Sequence, residues 1–228
     1  MKKIILSITF YFFISFTFIL GHVDHYKNYD YLEYELFRND RLIGYHKYEF
    51  VRNNNNLTVN SIVEFKISKL GVNLYKYFAS SSEKYKNSKF LSFNSKTKQN
   101  KKDKYVNITV DDSQKQLIID GSSYKGPASI DAIIGTWWNH EIVKANAQIS
   151  AISGRIIGQK VTFLGKKQIT INGKEYNSLH FNFKSSDETL PDNKKLNTDI
   201  WYEEKTYLWL KASFDKRGYW EYRLKEVR

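Results

Sequence analysis

Five histidines, His22, His25, His46, His140 and His180, are the side chains of this sequence best suited to proton transfer or metal binding near neutral pH. None stands in a recognised zinc spacing. His140-Glu141 begins a His-Glu-x-x-His pattern, but Lys144 occupies the place of the second histidine. Cleavage after Gly21 would free the amine of His22 beside Asp24 and His25, and an amine with an imidazole chelates copper; an unstructured start is the simpler reading. His46 and Glu83 could form an acid/base pair if adjacent strands bring them together, although satisfied polar residues on a sheet face are commoner. Serines are plentiful, yet no Gly-x-Ser-x-Gly elbow exists, and Gly121-Ser122-Ser123 reads as a turn. The chain has no cysteine, which removes disulfides, thiolate nucleophiles, cysteine zinc sites and an N-terminal lipidated cysteine. It is therefore not read as an enzyme, and no metal or other cofactor is expected.

Aromatic residues are the most suggestive feature, with 17 Tyr, 15 Phe and 5 Trp. Tyr75, Tyr77, Trp137, Trp138 and Trp201 are the candidate ligand-binding residues, and with Trp209 and Trp220 they could line an apolar cavity. Large aromatics also fill the core of a strongly curved sheet, so core filling stands beside cavity lining as a reading. The cavity reading makes an apolar small molecule or lipid the expected partner. Net charge is +12, and taking away Lys2 and Lys3 leaves +10, enough to attract an anionic membrane surface or an acidic polymer. Codon bias in an AT-rich genome also enriches Lys, Asn, Ile, Tyr and Phe, so the charge is not taken as a nucleic-acid signal. The densest basic stretch, Lys96 to Lys104, reads as a solvated loop.

The elements that must position these residues have a period of two. Leu57, Val59, Ser61, Val63, Phe65 and Ile67 fall on one face of a strand, and Thr58, Asn60, Glu64 and Lys66 on the other, with Ile62 the exception. Similar runs are Tyr29 to Arg38, Leu42 to Val51, Val72 to Ser80, Lys89 to Ser95, Tyr105 to Val110 and Gln116 to Asp120. After an interruption come Arg155 to Leu164, Lys167 to Ile171, Lys174 to Lys184, Thr198 to Glu203, Tyr207 to Phe214 and Tyr219 to Glu226. Asn, Asp and Gly clusters separate them, and Asn172-Gly173 is the strongest hairpin signal. Short turns require antiparallel pairing. Between Pro127 and Ala147 the spacing of Ile130, Ile133, Ile134 and Trp137 predicts one or two short helices, broken at Gly135, covering the open side of the sheet as a lid. Ser185 to Asn197 reads as a polar loop. The expected fold is all-β with a short helical insert: an antiparallel, strongly curved sheet forming an open or half barrel.

Residues 1–21 read as a signal peptide or an N-terminal membrane anchor: Lys2 and Lys3, then an uncharged, mostly apolar run from Ile4 to Leu20. The run is long for a signal and short for a span, and Ile19 weakens the cleavage site at Gly21. Either reading places a single antiparallel β domain, residues 22–228, outside the cytoplasm, in the periplasm or secreted.

Several short stretches then fall into a familiar order: Asp40-Arg41-Leu42-Ile43-Gly44-Tyr45-His46, Leu70-Gly71 before Tyr75-Lys76-Tyr77, Glu83-Lys84-Tyr85, Trp138-Asn139, Ser153-Gly154-Arg155 and Trp201-Tyr202. In them the chain resembles a family of exported bacterial proteins known as a domain of unknown function. The resemblance spans nearly the whole chain after the leader. It implies a periplasmic open or half barrel similar to envelope lipid-carrier and lipoprotein folds, and it implies no reaction. Two positions depart from the pattern, Tyr85 where Trp is expected and Trp137 where His is expected. The reading that follows is a monomeric, non-enzymatic binding module for a lipid or other apolar ligand. A structural or interaction protein of the envelope is the alternative, and a hydrolase would need His46 and Glu83 together.

Overall fold

The computed structural model describes residues 26–228; residues 1–21, read above as a signal peptide or membrane anchor, and the His22 to His25 cluster lie outside the described residues. Fifteen strands form one sheet. They are β1 (Tyr31–Arg38), β2 (Arg41–Asn53), β3 (Asn56–Lys69), β4 (Val72–Lys86), β5 (Lys89–Gln99), β6 (Lys102–Asp111), β7 (Gln116–Gly121), β8 (Lys125–Ser129), β9 (Ile133–Ile134), β10 (Ala147–Ile149), β11 (Ile156–Ile171), β12 (Lys174–Ser185), β13 (Asn197–Glu203), β14 (Trp209–Asp215) and β15 (Tyr219–Val227). The chain runs outward from β1 to β8 on one side and returns from β9 to β15 on the other, with β1 and β15 paired in the middle. Polar turn residues make these hairpins tight. Asn39, Asp40, Asn54, Asn87, Asn100 and Asn172 all take positive φ, which Asn and Asp tolerate better than bulkier residues.

The two edges of the sheet, β8 and β9, are joined by residues 130–132 alone. Four residue steps reach at most ~14 Å, so the sheet must roll round until its edges nearly meet. Bulges supply the curvature, at Glu33/Tyr34, Leu36/Phe37, Ile67/Ser68, Lys84/Tyr85, Phe163/Gly165 and Trp201/Tyr202. Gly44 sits where curvature brings strands closest: a Cβ there would lie 2.0 Å from the Glu64 carbonyl oxygen.

The helical insert expected between Pro127 and Ala147 does not form. Pro127 lies in β8, Ile133–Ile134 form β9, and the one helical piece is a 3-10 turn, His140–Lys144. The backbone explains why. Trp137 has φ 57, incompatible with an α-helix, and Gly135 donates its N–H to the Ile149 carbonyl across a sheet ladder instead of up a helix. Ile130, Ile133 and Ile134 are spaced like a helix face by coincidence.

Three further expectations need correction. Pairing is not wholly antiparallel, because β9 runs parallel to β10, the return path being the strap that holds the 3-10 turn. The basic stretch from Lys96 to Lys104 is no loop but the ends of β5 and β6, with Ser95 and Thr97 buried and the lysines alternating outward. Arg155 to Leu164 and Lys167 to Ile171 are one strand, β11, bent at Gly165, where φ is 109.

Inside the roll, inward residues form three apolar clusters. Tyr34, Tyr48, Trp138, Tyr202 and Trp209 centre the largest; Phe93, Ile108, Ile119, Ile134 and Ile149 the second; Leu36, Phe65 and Tyr77 the third. The strap 135–146 crosses this interior, where its carbonyls cannot join the sheet. Side-chain hydroxyls serve them instead: Tyr48 donates to the Thr136 carbonyl (2.5 Å) and Tyr202 to that of Trp137 (2.8 Å).

Candidate functional site

Because hairpins alternate ends, the β2–β3, β4–β5 and β6–β7 turns share one end of the barrel. There the strap leaves a groove of about 1080 Å³, walled by Phe90, Val110, Leu117, Ile130 and Ile133, with Asp112, Asp131 and Lys144 at its margins. The wall also carries a buried carboxyl, Glu83. Strand alternation places Glu83 and Tyr85 on the same inward face of β4, and the strap delivers Trp138 and Asn139 against them. Tyr85 donates its hydroxyl to Glu83 Oε1, and the Trp138 indole N–H donates to Oε2 at 3.0 Å. The Thr136 hydroxyl stands 3.5 Å from Oε2.

Burial pushes the Glu83 carboxyl up to about 7, against the three donors that favour its charged form. The same burial, with Glu83 beside it, raises the Tyr85 hydroxyl well above its ordinary range. Near neutral pH the groove wall therefore holds a carboxyl balanced between neutral and charged. A neutral carboxyl donates one hydrogen bond and tolerates apolar neighbours; a charged one only accepts. Asn139 shapes the floor by accepting the Glu141 N–H at 3.1 Å and so starting the 3-10 turn. Gln159 on β11 fixes the end of that turn, donating to the Ile142 and Ala145 carbonyls at 2.9 Å.

A second, smaller cavity of about 170 Å³ lies among His46, Ser61, Tyr77, Ser81, Ser95 and Trp137. His46 Nε2 lies 3.0 Å from the Ser61 hydroxyl, its Nδ1 has no hydrogen-bond partner among the described residues, and burial pushes the imidazole down to about 3. His46 and Glu83 are not brought together. Register aligns His46 with Val63 and Ala79, whereas Glu83 aligns with Val59 and Phe50, two strands across and four residues along. Among the described residues no three His, Asp or Glu side chains cluster as metal ligands would.

The aromatic candidates are distributed rather than gathered. Tyr77 and Trp137 meet at the smaller cavity. Tyr75 packs on Phe65 with ring centroids 5.9 Å apart. Trp138 is fully buried behind the large groove, its ring against Tyr26, Phe50 and Tyr85. Trp201 faces away from inward Ile200 and Tyr202, stacked on His180 with Lys211 over the ring. The large groove is walled instead by Ile130, Ile133 and Tyr85, which sequence reasoning assigned to a helix or to a departure from a family pattern. The available signal was the i, i+2 pair of acid and phenol at Glu83 and Tyr85.

Residues 34–225 match the model of the family described as Domain of unknown function (DUF6134), and the chain belongs to that family. No curated protein matches the sequence. Among solved structures it is similar to the beta-barrel-like protein of domain of unknown function DUF1849 from Brucella abortus, at a TM-score of 0.59 and 11% identity, covering 86% of this chain and 95% of that one. That likeness is one of fold. A DUF1329 family protein from Desulfovibrio piger aligns at 10% identity over 90% of this chain and 88% of that one, with a TM-score of 0.28, too low to bear on architecture.

Proposed function

We propose that this DUF6134 member is an exported, non-enzymatic binding module that takes an elongated apolar molecule, such as a lipid acyl chain, into the groove beside Glu83. One observation carries the reading. The groove has the volume of a ligand site, with an apolar inner wall of Phe90, Val110, Leu117, Ile133 and Ile134, an exposed polar rim that includes Lys89, Asp112, Asp131 and Lys144, and a buried polar spot. Glu83, Tyr85 and Asn139 are the polar spot, where a ligand's polar end would meet a carboxyl that can donate or accept. Export rests on Lys2, Lys3 and the apolar run that follows them.

Native mass spectrometry of protein purified without detergent, followed by displacement of a fluorescent fatty acid, tests the proposal. We expect a retained ligand and saturable binding that Ile130→Asp weakens about tenfold by charging the wall. Protein that carries nothing and binds no probe saturably would overturn it and favour a structural or interaction role in the envelope.

A further inference from the structure

The opposite end of the barrel carries a different feature. Pairing of β3 with β2 begins at Phe65, opposite Gly44, and pairing of β4 with β5 begins at Tyr77, opposite Gln99. Residues 66–75 therefore pair in the sheet only with each other, and their tip lies ~17 Å beyond these last pairings. A free two-stranded hairpin is marginal in water. This one is also apolar at its tip: Leu70 is 95% exposed, Val72 62% and Leu74 57%.

Leu70 takes φ 50 in the turn, where a bulky side chain is strained and Asn or Gly is favoured, and no packing offsets the strain. Cations collar the projection. Lys66 stands opposite Lys76, Lys69 opposite Val72, and the adjacent β5–β6 turn sets Lys101 and Lys102 beside the base, where Asn100 bonds to Lys76. The nearby acids are Glu64, 3.6 Å from Lys66 and bonded by the Tyr45 hydroxyl, and Asp103, opposite Lys98.

We infer that this hairpin docks on an anionic lipid bilayer, with Leu70, Val72 and Leu74 entering the boundary between headgroups and acyl chains and the lysine collar meeting lipid phosphates. A projecting apolar tip suits a deformable surface, into which it sinks by ~5–10 Å, better than a rigid protein face. The lysines supply the sign, each contributing where the surface is negative. The large groove opens at the other end, so docking and ligand uptake use separate surfaces of the barrel.

Sedimentation with vesicles tests this, using phosphatidylcholine alone and phosphatidylcholine with about a third phosphatidylglycerol. Wild type should bind the anionic vesicles, not the neutral ones, and half-molar salt should weaken binding. Leu70→Asp with Leu74→Asp, and separately Lys69→Glu with Lys101→Glu, should each weaken binding by about tenfold or more. Lys86→Glu with Lys115→Glu, at the groove end, should weaken it less. Leu70→Trp gives a second readout, a blue-shifted emission on anionic vesicles. Absence of wild-type binding, equal loss from either end, or Leu70→Trp emission that stays that of water would overturn the inference. Fatty-acid binding in solution should be unchanged in the hairpin variants, so failure of docking is separable from failure of the groove.

Discussion

Replacing Glu83 by Gln should remove a pH-dependent cost that the wild type bears near neutrality. Burial raises the carboxyl from its ordinary 4.5 to about 7. The folded protein thus holds a proton that the unfolded chain has released, and stability falls as pH rises from 4.5 to about 7, with the loss complete above. At about 1.4 kcal/mol per pH unit the full effect is about 3 kcal/mol. The Gln amide oxygen can take the Trp138 N–H, and its NH2 faces the Tyr85 oxygen, which accepts. His46 works in the opposite direction. Its imidazole, lowered from 6.5 to about 3, stays neutral in the fold, so its contribution is present above 6.5 and is lost as pH falls toward 3. Between 4.5 and 6.5 the two slopes nearly cancel in the wild type.

Subtraction isolates Glu83. Urea denaturation of wild type and Glu83→Gln, from about pH 5 to about pH 8, should show their difference moving toward the variant by most of that ~3 kcal/mol. A difference constant to within about 0.5 kcal/mol across the range would refute the buried, proton-holding carboxyl.

Three other perturbations follow from the packing. Gly173→Val, at φ 78 in the β11–β12 turn, should cost about 1–2 kcal/mol through backbone strain alone, because a Cβ there meets nothing; an unchanged melting temperature would contradict the turn. Gly44→Ala should cost about 3 kcal/mol or more, since the methyl would overlap the Glu64 carbonyl oxygen and the Phe65 Cβ, and thermal melting reads it directly. Tyr202→Phe should cost about 1–3 kcal/mol by leaving the Trp137 carbonyl unpaired, and hydrogen exchange should quicken along 135–146 before the surrounding strands.

Most strands were legible because one face is wet and the other dry, as in β5, β6 and β7. In β3 the alternation from Leu57 to Ile67 survives folding, and Ile62, the residue that broke it, lies exposed. Turns were legible from Asn and Gly. The strap was not, since its conformation is set by partners distant in sequence: Trp137 holds a positive φ while Tyr202 bonds its carbonyl, and Trp138 turns inward to Glu83, 55 residues away. A period in four apolar residues carries no information about such contacts. The groove was hidden for the same reason, as its walls come from β5, β6, β7 and the strap together.

An AT-rich codon bias would enrich both Tyr and Phe, but it would not decide which of them stands where, and the interior sorts them by hydroxyl. Phe93 and Phe183 fill purely apolar positions. Tyr34, Tyr48 and Tyr202 are equally buried, yet each donates to a backbone carbonyl, those of Trp209, Thr136 and Trp137. Tyr26 accepts the Trp209 N–H at 2.9 Å. An irregular strap threaded through a barrel has carbonyls facing an apolar surround, each costing about 1–3 kcal/mol if unmet. Tyrosine meets that need while giving the core nearly the apolar area of phenylalanine. A barrel that encloses a strap, instead of packing a helix across its mouth, requires polar-tipped aromatics pointing inward. The groove is the space left where the strap turns back, at Asn139 and the 3-10 turn, before the last wall is reached.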